Sequence, residues 1–144
     1  MSKQSFSKRI NKEQIELGTE LAPKFNDDGL IPCITVDTES KEVLMFAWMN
    51  EEALSMTIES GKATYFSRSR NKIWVKGESS GLTQLVDQIL VDCDQDVIQL
   101  KVRVKGEGTC HQGYRSCFYR AVKDKKSLEF VIDERSFDPD VKYN

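Results

Sequence analysis

The sequence predicts a strand-rich α+β domain in which one or two helices cover a mixed or antiparallel sheet. Three observations carry that reading. Ile98, Leu100, Val102 and Val104 alternate with Gln99, Lys101, Arg103 and Lys105, the period of a strand with one buried face. Short β-branched and aromatic runs recur along the chain between polar turns. Only the stretch after Asn50 combines a helix start signal, good helix formers and a glycine stop.

Taken in order, Asn11 to Leu21 carries Ile10, Leu17 and Leu21 at near-helical spacing among charges, so a short amphipathic helix stopped by Pro23 is expected. Asp27-Asp28-Gly29 is a turn, and Leu30 to Val36 is a buried strand paired as a hairpin with Val43 to Ala47. Asn50 is an N-cap, Glu51 and Glu52 suit the positive end of the helix dipole, and Gly61 ends the helix. Ala63 to Ser67 and Lys72 to Lys76 make a second hairpin around Arg68-Ser69-Arg70-Asn71. Val86 to Val91 is the expected partner of the alternating strand. A glycine-bearing stretch from Gly106 to Gly113, a strand from Cys117 to Val122 and a charged tail complete the chain.

The length, 144 residues with 39% hydrophobic and 31% charged, suits residues 1–144 as a single folded domain. A net charge of -2 and a pI near 5.5 provide no basic field for a nucleic-acid backbone. The polar N-terminus lacks the apolar core of a signal peptide, and nowhere is there a run of about 18 apolar residues, so a cytoplasmic protein without a membrane partner is expected. In a reducing compartment the four cysteines point to metal ligation or catalysis before disulfides. Cys33, alone in an apolar run, is expected to be a small buried hydrophobe.

Asp92-Cys93-Asp94-Gln95-Asp96 joins two expected strands. If extended, it sends the carboxylates one way and the thiol the other, so that oxygens suited to magnesium or calcium and a sulfur suited to zinc occupy opposite faces. The plainer reading is an Asp-rich turn whose side chains accept backbone hydrogen bonds. Cys110-His111 and Cys117 add two thiols and the sole histidine. With Cys93 they fill either a closed four-ligand zinc site or a three-thiolate site open to water. Three thiolates leave the centre at a net charge of -1 and acidify water less than three imidazoles do, so a separate base is wanted, and His111, with an unperturbed pKa of about 6.5, has the right chemistry. Ser67 to Arg70 and Lys76 to Gly81 concentrate cations, hydroxyls and flexible glycines of the kind that hold phosphates, although each also reads as an ordinary solvated loop.

Read together, Val43-Leu44-Met45, Ala47 to Leu54, Thr64 to Arg70, Trp74 to Gly81, Asp92 to Asp96, Cys110 to Gly113 and Ser116-Cys117-Phe118 resemble the phosphoribosyl-AMP cyclohydrolases of histidine biosynthesis, a match running from about residue 30 to about residue 120. The resemblance implies a compact mixed sheet with flanking helices and a homodimer. It also implies zinc on Cys93 of one subunit with Cys110 and Cys117 of the other, and magnesium on Asp92, Asp94 and Asp96. The reaction implied is hydrolysis of the N1–C6 bond of the adenine ring in 1-(5-phosphoribosyl)-AMP, a small phosphoribosyl nucleotide; for it, side-chain chemistry makes His111 the expected catalytic base, and chemistry with motif membership makes Arg68, Arg70, Lys76, Glu78 and Ser79 the expected substrate contacts. Gln95 departs from the glycine common in the family, and the short tail leaves no room for a fused pyrophosphohydrolase domain. A nucleobase deaminase is disfavoured because H-x-E and P-C-x-x-C are missing. A structural-zinc interaction domain without catalysis is the alternative.

Overall fold

The computed structural model describes residues 6–78, 80–105, 112–132, 134–136 and 138. The chain runs α1 (Lys12–Leu17), β1 (Leu30–Asp37), β2 (Val43–Asn50), α2 (Glu51–Ser60), β3 (Thr64–Ser67), β4 (Lys72–Val75), β5 (Thr83–Val91), β6 (Ile98–Lys105), β7 (Arg120–Asp124) and β8 (Ser127–Phe130). Six strands form one mixed sheet in the order β4-β3-β2-β1-β6-β5, and β7 and β8 form a separate hairpin. The α+β reading, the two early hairpins and the pairing of β5 with β6 are all present.

The central contact is the parallel pairing of β1 with β6, from Cys33 beside Ile98 to Asp37 beside Val102. Pro32, which has no N–H to give, lies just before that ladder begins. Helix α2 starts and stops where its residues dictate: Asn50 Oδ1 accepts the Ala53 N–H at 2.8 Å, and Gly61 closes it in the left-handed conformation at φ 73°. Beyond the helix, Val86 N–H donates to Gly61 O, Ala63 N–H to Gln84 O and Lys76 N–H to Ala63 O. These bonds tie β5 to the chain beside β3 and β4, so the sheet curls until its edges approach.

Inside the curl lie Ile31, Met49, Leu54, Tyr65, Ile98, Leu100 and Val102, all fully buried. The same interior holds a polar chain. Thr35 Oγ1 and Tyr65 Oη are 2.7 Å apart, Tyr65 Oη donates to Gln84 Oε1 at 2.6 Å, and Gln84 Nε2 donates to Met45 Sδ at 3.3 Å. Buried polar groups of this kind are tolerated because each has a partner.

Three expectations are corrected. Helix α1 ends at Gly18, whose N–H closes on Gln14 O, well before Pro23, and it buries no residue; Leu17 is 82% exposed. The strand expected from Cys117 begins at Arg120, because Ser116 and Cys117 are hydrogen-bonded to β2 instead. The tail holds an unexpected strand, β8, which folds back on β7 through Lys125 and Lys126. Among the described residues no helix is long and apolar enough to cross a membrane.

Candidate active site

The link between β5 and β6 is a turn and not an extended segment. Asp92 O accepts the Gln95 N–H at 3.1 Å, Asp92 Oδ1 accepts the N–H groups of Asp96 (2.9 Å) and Val97 (3.1 Å), and Gln95 adopts φ 57°. The anticipated alternation of carboxylates and thiol therefore does not apply. The turn nevertheless gathers one carboxylate oxygen each from Asp92, Asp94 and Asp96 within 4.8 Å of one another. That spread suits a single hard divalent cation, whose oxygen ligands lie at about 2.0–2.6 Å from the ion.

The electrostatics express the crowding. Hydrogen bonds with Asp92 and then Asp94, followed by burial and their negative charge, push Asp96 up to about 6. Burial alone would raise Asp92. Its hydrogen bonds with Asp96, Val97 and Asp94 outweigh that and hold it below the ordinary carboxylate value.

Cys93 is exposed in the same turn, whereas Cys33 is fully buried and its thiol is pushed up to about 12, chiefly by burial. Cys33 is the structural thiol, as its setting predicts, and among the described cysteines Cys93 and Cys117 are the exposed residues. Cys117 is held against β2: its N–H donates to Leu44 O at 2.7 Å, Ser116 Oγ donates to Val43 O at 2.7 Å, and Arg115 pairs with Glu42 at 2.9 Å. In the sheet order β6 and β1 separate β5, which leads to Cys93, from β2. Cys110, His111 and Ser79 lie outside the described residues.

Two clefts flank the aspartate turn. The larger, about 600 Å³, runs between residues 15–21 and a wall made by Ile58, Ile89, Val91, Asp92 and Cys93. The smaller, about 300 Å³, is lined by Lys24, Asn26, Trp48 and Asp96 among others. The Arg68 guanidinium stacks over Trp48, 5.1 Å from the ring centroid. Arg68 is thus brought toward the aspartates through Trp48, while Arg70 is exposed on the turn between β3 and β4. Lys76 and Glu78 line a different cleft of about 430 Å³ with Thr64 and Thr83. Gly77 allows that loop to press on β5: a Cβ there would meet Thr83 N at 2.3 Å and Leu82 C at 2.4 Å, at φ 87°.

Sequence reasoning missed Lys24, Trp48 as the platform for Arg68, and Arg115 and Ser116 as the anchors of Cys117. Trp48 was within reach of it, being embedded in the motif that leads into α2. Lys24 has no local signal, since only tertiary folding carries it to Asp96.

A family model described as phosphoribosyl-AMP cyclohydrolase matches residues 45–119. A phosphoribosyl-AMP cyclohydrolase of Chlorobaculum tepidum is 56% identical over 120 residues, covering 83% of this chain and 86% of the relative. One of Rhizobium etli is 52% identical over 133 residues (90% and 89%), and one of Caulobacter vibrioides 50% identical over 130 residues (90% and 94%). With identity at this level across most of its length, the chain belongs to the phosphoribosyl-AMP cyclohydrolase family of enzymes.

Proposed function

We propose that this chain hydrolyses the N1–C6 bond of the adenine ring in 1-(5-phosphoribosyl)-AMP, a step of histidine biosynthesis, as a zinc- and magnesium-dependent homodimer. The observation that carries the activity is identity of 50–56% to phosphoribosyl-AMP cyclohydrolases over 83–90% of the chain. The convergence of three carboxylates beside an exposed thiol supports the metal assignment.

Cys93 of one subunit, with Cys110 and Cys117 of its partner, would hold zinc. Zinc held there supplies a Lewis acid that makes water more acidic. Substitution at N1 leaves the purine readily cationic, so C6 accepts a nucleophile. The His111 imidazole takes the proton of the attacking water and returns it to the ring nitrogen as the C–N bond breaks. Asp92, Asp94 and Asp96 would hold magnesium against a substrate phosphate. Arg68 on Trp48, Arg70, Lys76, Glu78 and Ser79 supply further polar contacts, with the arginines suited to phosphate oxygens.

Incubation of the protein with phosphoribosyl-AMP, with and without a chelator, tests this by ultraviolet absorbance. Turnover abolished by the chelator and restored by zinc is expected. His111→Ala should lose nearly all turnover with its zinc content intact. A chelator-insensitive reaction removes the metal from the mechanism, and near-normal turnover in His111→Ala removes the histidine.

A further inference from the structure

Gln95 is 4% exposed, and every hydrogen-bonding group of its side chain is occupied by the N-terminal segment. Its Oε1 accepts the Ala22 N–H at 2.8 Å, its Nε2 donates to Ile15 O at 2.9 Å and to Glu20 O at 3.2 Å, and its backbone O accepts the Lys24 N–H at 2.8 Å. Helix α1 fully buries no side chain of its own, and Ile15 and Leu21 are only half-buried, so residues 15–21 have a weak apolar anchor. Beside those side chains, this one residue, buried Ala22 and Pro23, and the contacts of Phe6 and Phe25 with the core attach the segment to the body.

The residue sits between Asp94 and Asp96. The left-handed backbone of Gln95 turns the chain so that the neighbouring carboxylates face Asp92, and its side chain leaves the turn on the other side to hold the segment. That segment walls both flanking clefts, residues 15–21 the larger and Lys24 with Asn26 the smaller.

We propose that Gln95 is a positioning residue that couples cation occupancy of the aspartate turn to the order of residues 15–24, so that binding of the ion sets the walls of both clefts. The proposal rests on the reading of Asp92, Asp94 and Asp96 as a cation site. An ion that fixes the geometry of the turn fixes the direction of the Gln95 amide, and an ordered segment in turn holds the turn ready for the ion. The two effects are one coupling free energy and must be equal in both directions.

Gln95→Gly separates the clamp from the turn, because glycine takes the left-handed conformation without strain while removing the amide. The measurements are magnesium affinity by calorimetry and amide exchange at Ala22 and Lys24 with and without magnesium. In the wild-type protein magnesium should slow exchange at both amides. In Gln95→Gly the slowing should vanish at Ala22 and magnesium affinity should fall by about fivefold or more. Equal affinities in the two proteins, or exchange at Ala22 that is faster in the variant but insensitive to magnesium in both, would reduce Gln95 to a structural tie and overturn the coupling. Failure of the wild-type protein to bind magnesium would overturn the aspartate reading and the coupling with it.

Discussion

Replacing Tyr65 with Phe should destabilise the protein in a way that a second, apolar substitution repairs. Tyr65 is fully buried, and its hydroxyl links Thr35 to Gln84. Deleting it leaves Gln84 Oε1 in the core without its 2.6 Å donor and takes from Thr35 Oγ1 its 2.7 Å partner, which among the described residues leaves the Cys33 sulfur at 4.0 Å. A stranded buried acceptor costs about 1–3 kcal/mol. With an unfolding entropy of roughly 0.3 kcal/mol/K for 144 residues, the midpoint should drop by about 3–10 °C. Adding Gln84→Leu removes the stranded carbonyl, so the double variant should be more stable than additivity requires, with a coupling of about 1 kcal/mol or more. Thermal and urea unfolding of the four proteins measures this. A Tyr65→Phe midpoint within about 1 °C of wild type, or strictly additive substitutions, would refute the account of the core as a mutually satisfied chain.

Three further outcomes follow from the site. Asp96 sits at about 6, above its unfolded value, so its proton favours the folded state below about pH 4 and that contribution is lost as pH rises through 6. Magnesium competes with the same proton, so the rise in melting midpoint on adding magnesium should be full near pH 7.5 and fade as pH falls through about 6; a pH-independent rise would contradict the assignment. Gly77→Ala should lose about 2–4 kcal/mol in urea unfolding and raise KM, because the new methyl overlaps the backbone of Thr83 at a positive φ. Ser116→Ala removes the hydroxyl that bonds Val43 O, and should cost about 1–2 kcal/mol and lower retained zinc on dialysis, measured by metal analysis.

What was legible in the sequence was local. Asn50, Glu51, Glu52 and Gly61 bound α2 because capping and left-handed termination are decided within one turn. The alternation of β6 was readable because one of its faces is buried. The parallel union of β1 with β6 was not, since nothing in either strand names its neighbour. Gln95 was readable only as a departure from a glycine. Its partners lie 73 to 80 positions earlier in the chain, and a lone glutamine gives no sign of them. The aspartate turn was half legible: the residue types announced a cation site and a hydrogen-bonded turn as alternatives, and the structure contains the hydrogen-bonded turn with the carboxylates still converging.

Those two readings of the turn differ in how many aspartates they require. The hydrogen bonds that close the turn's backbone run to Asp92, whose carbonyl accepts from Gln95 and whose side chain accepts from Asp96 and Val97. A turn with no other task needs that one residue, and serine or asparagine at positions 94 and 96 would spare it the repulsion. The second and third carboxylates instead close to within 4.8 Å of the first, and hydrogen bonds with Asp92 and Asp94, with burial and their negative charge behind them, lift Asp96 to about 6. Once all three are ionised, folding gains nothing from holding three negative charges together. A divalent cation turns the same repulsion into attraction, which is why the count of carboxylates, and not the shape of the turn, argues for an ion.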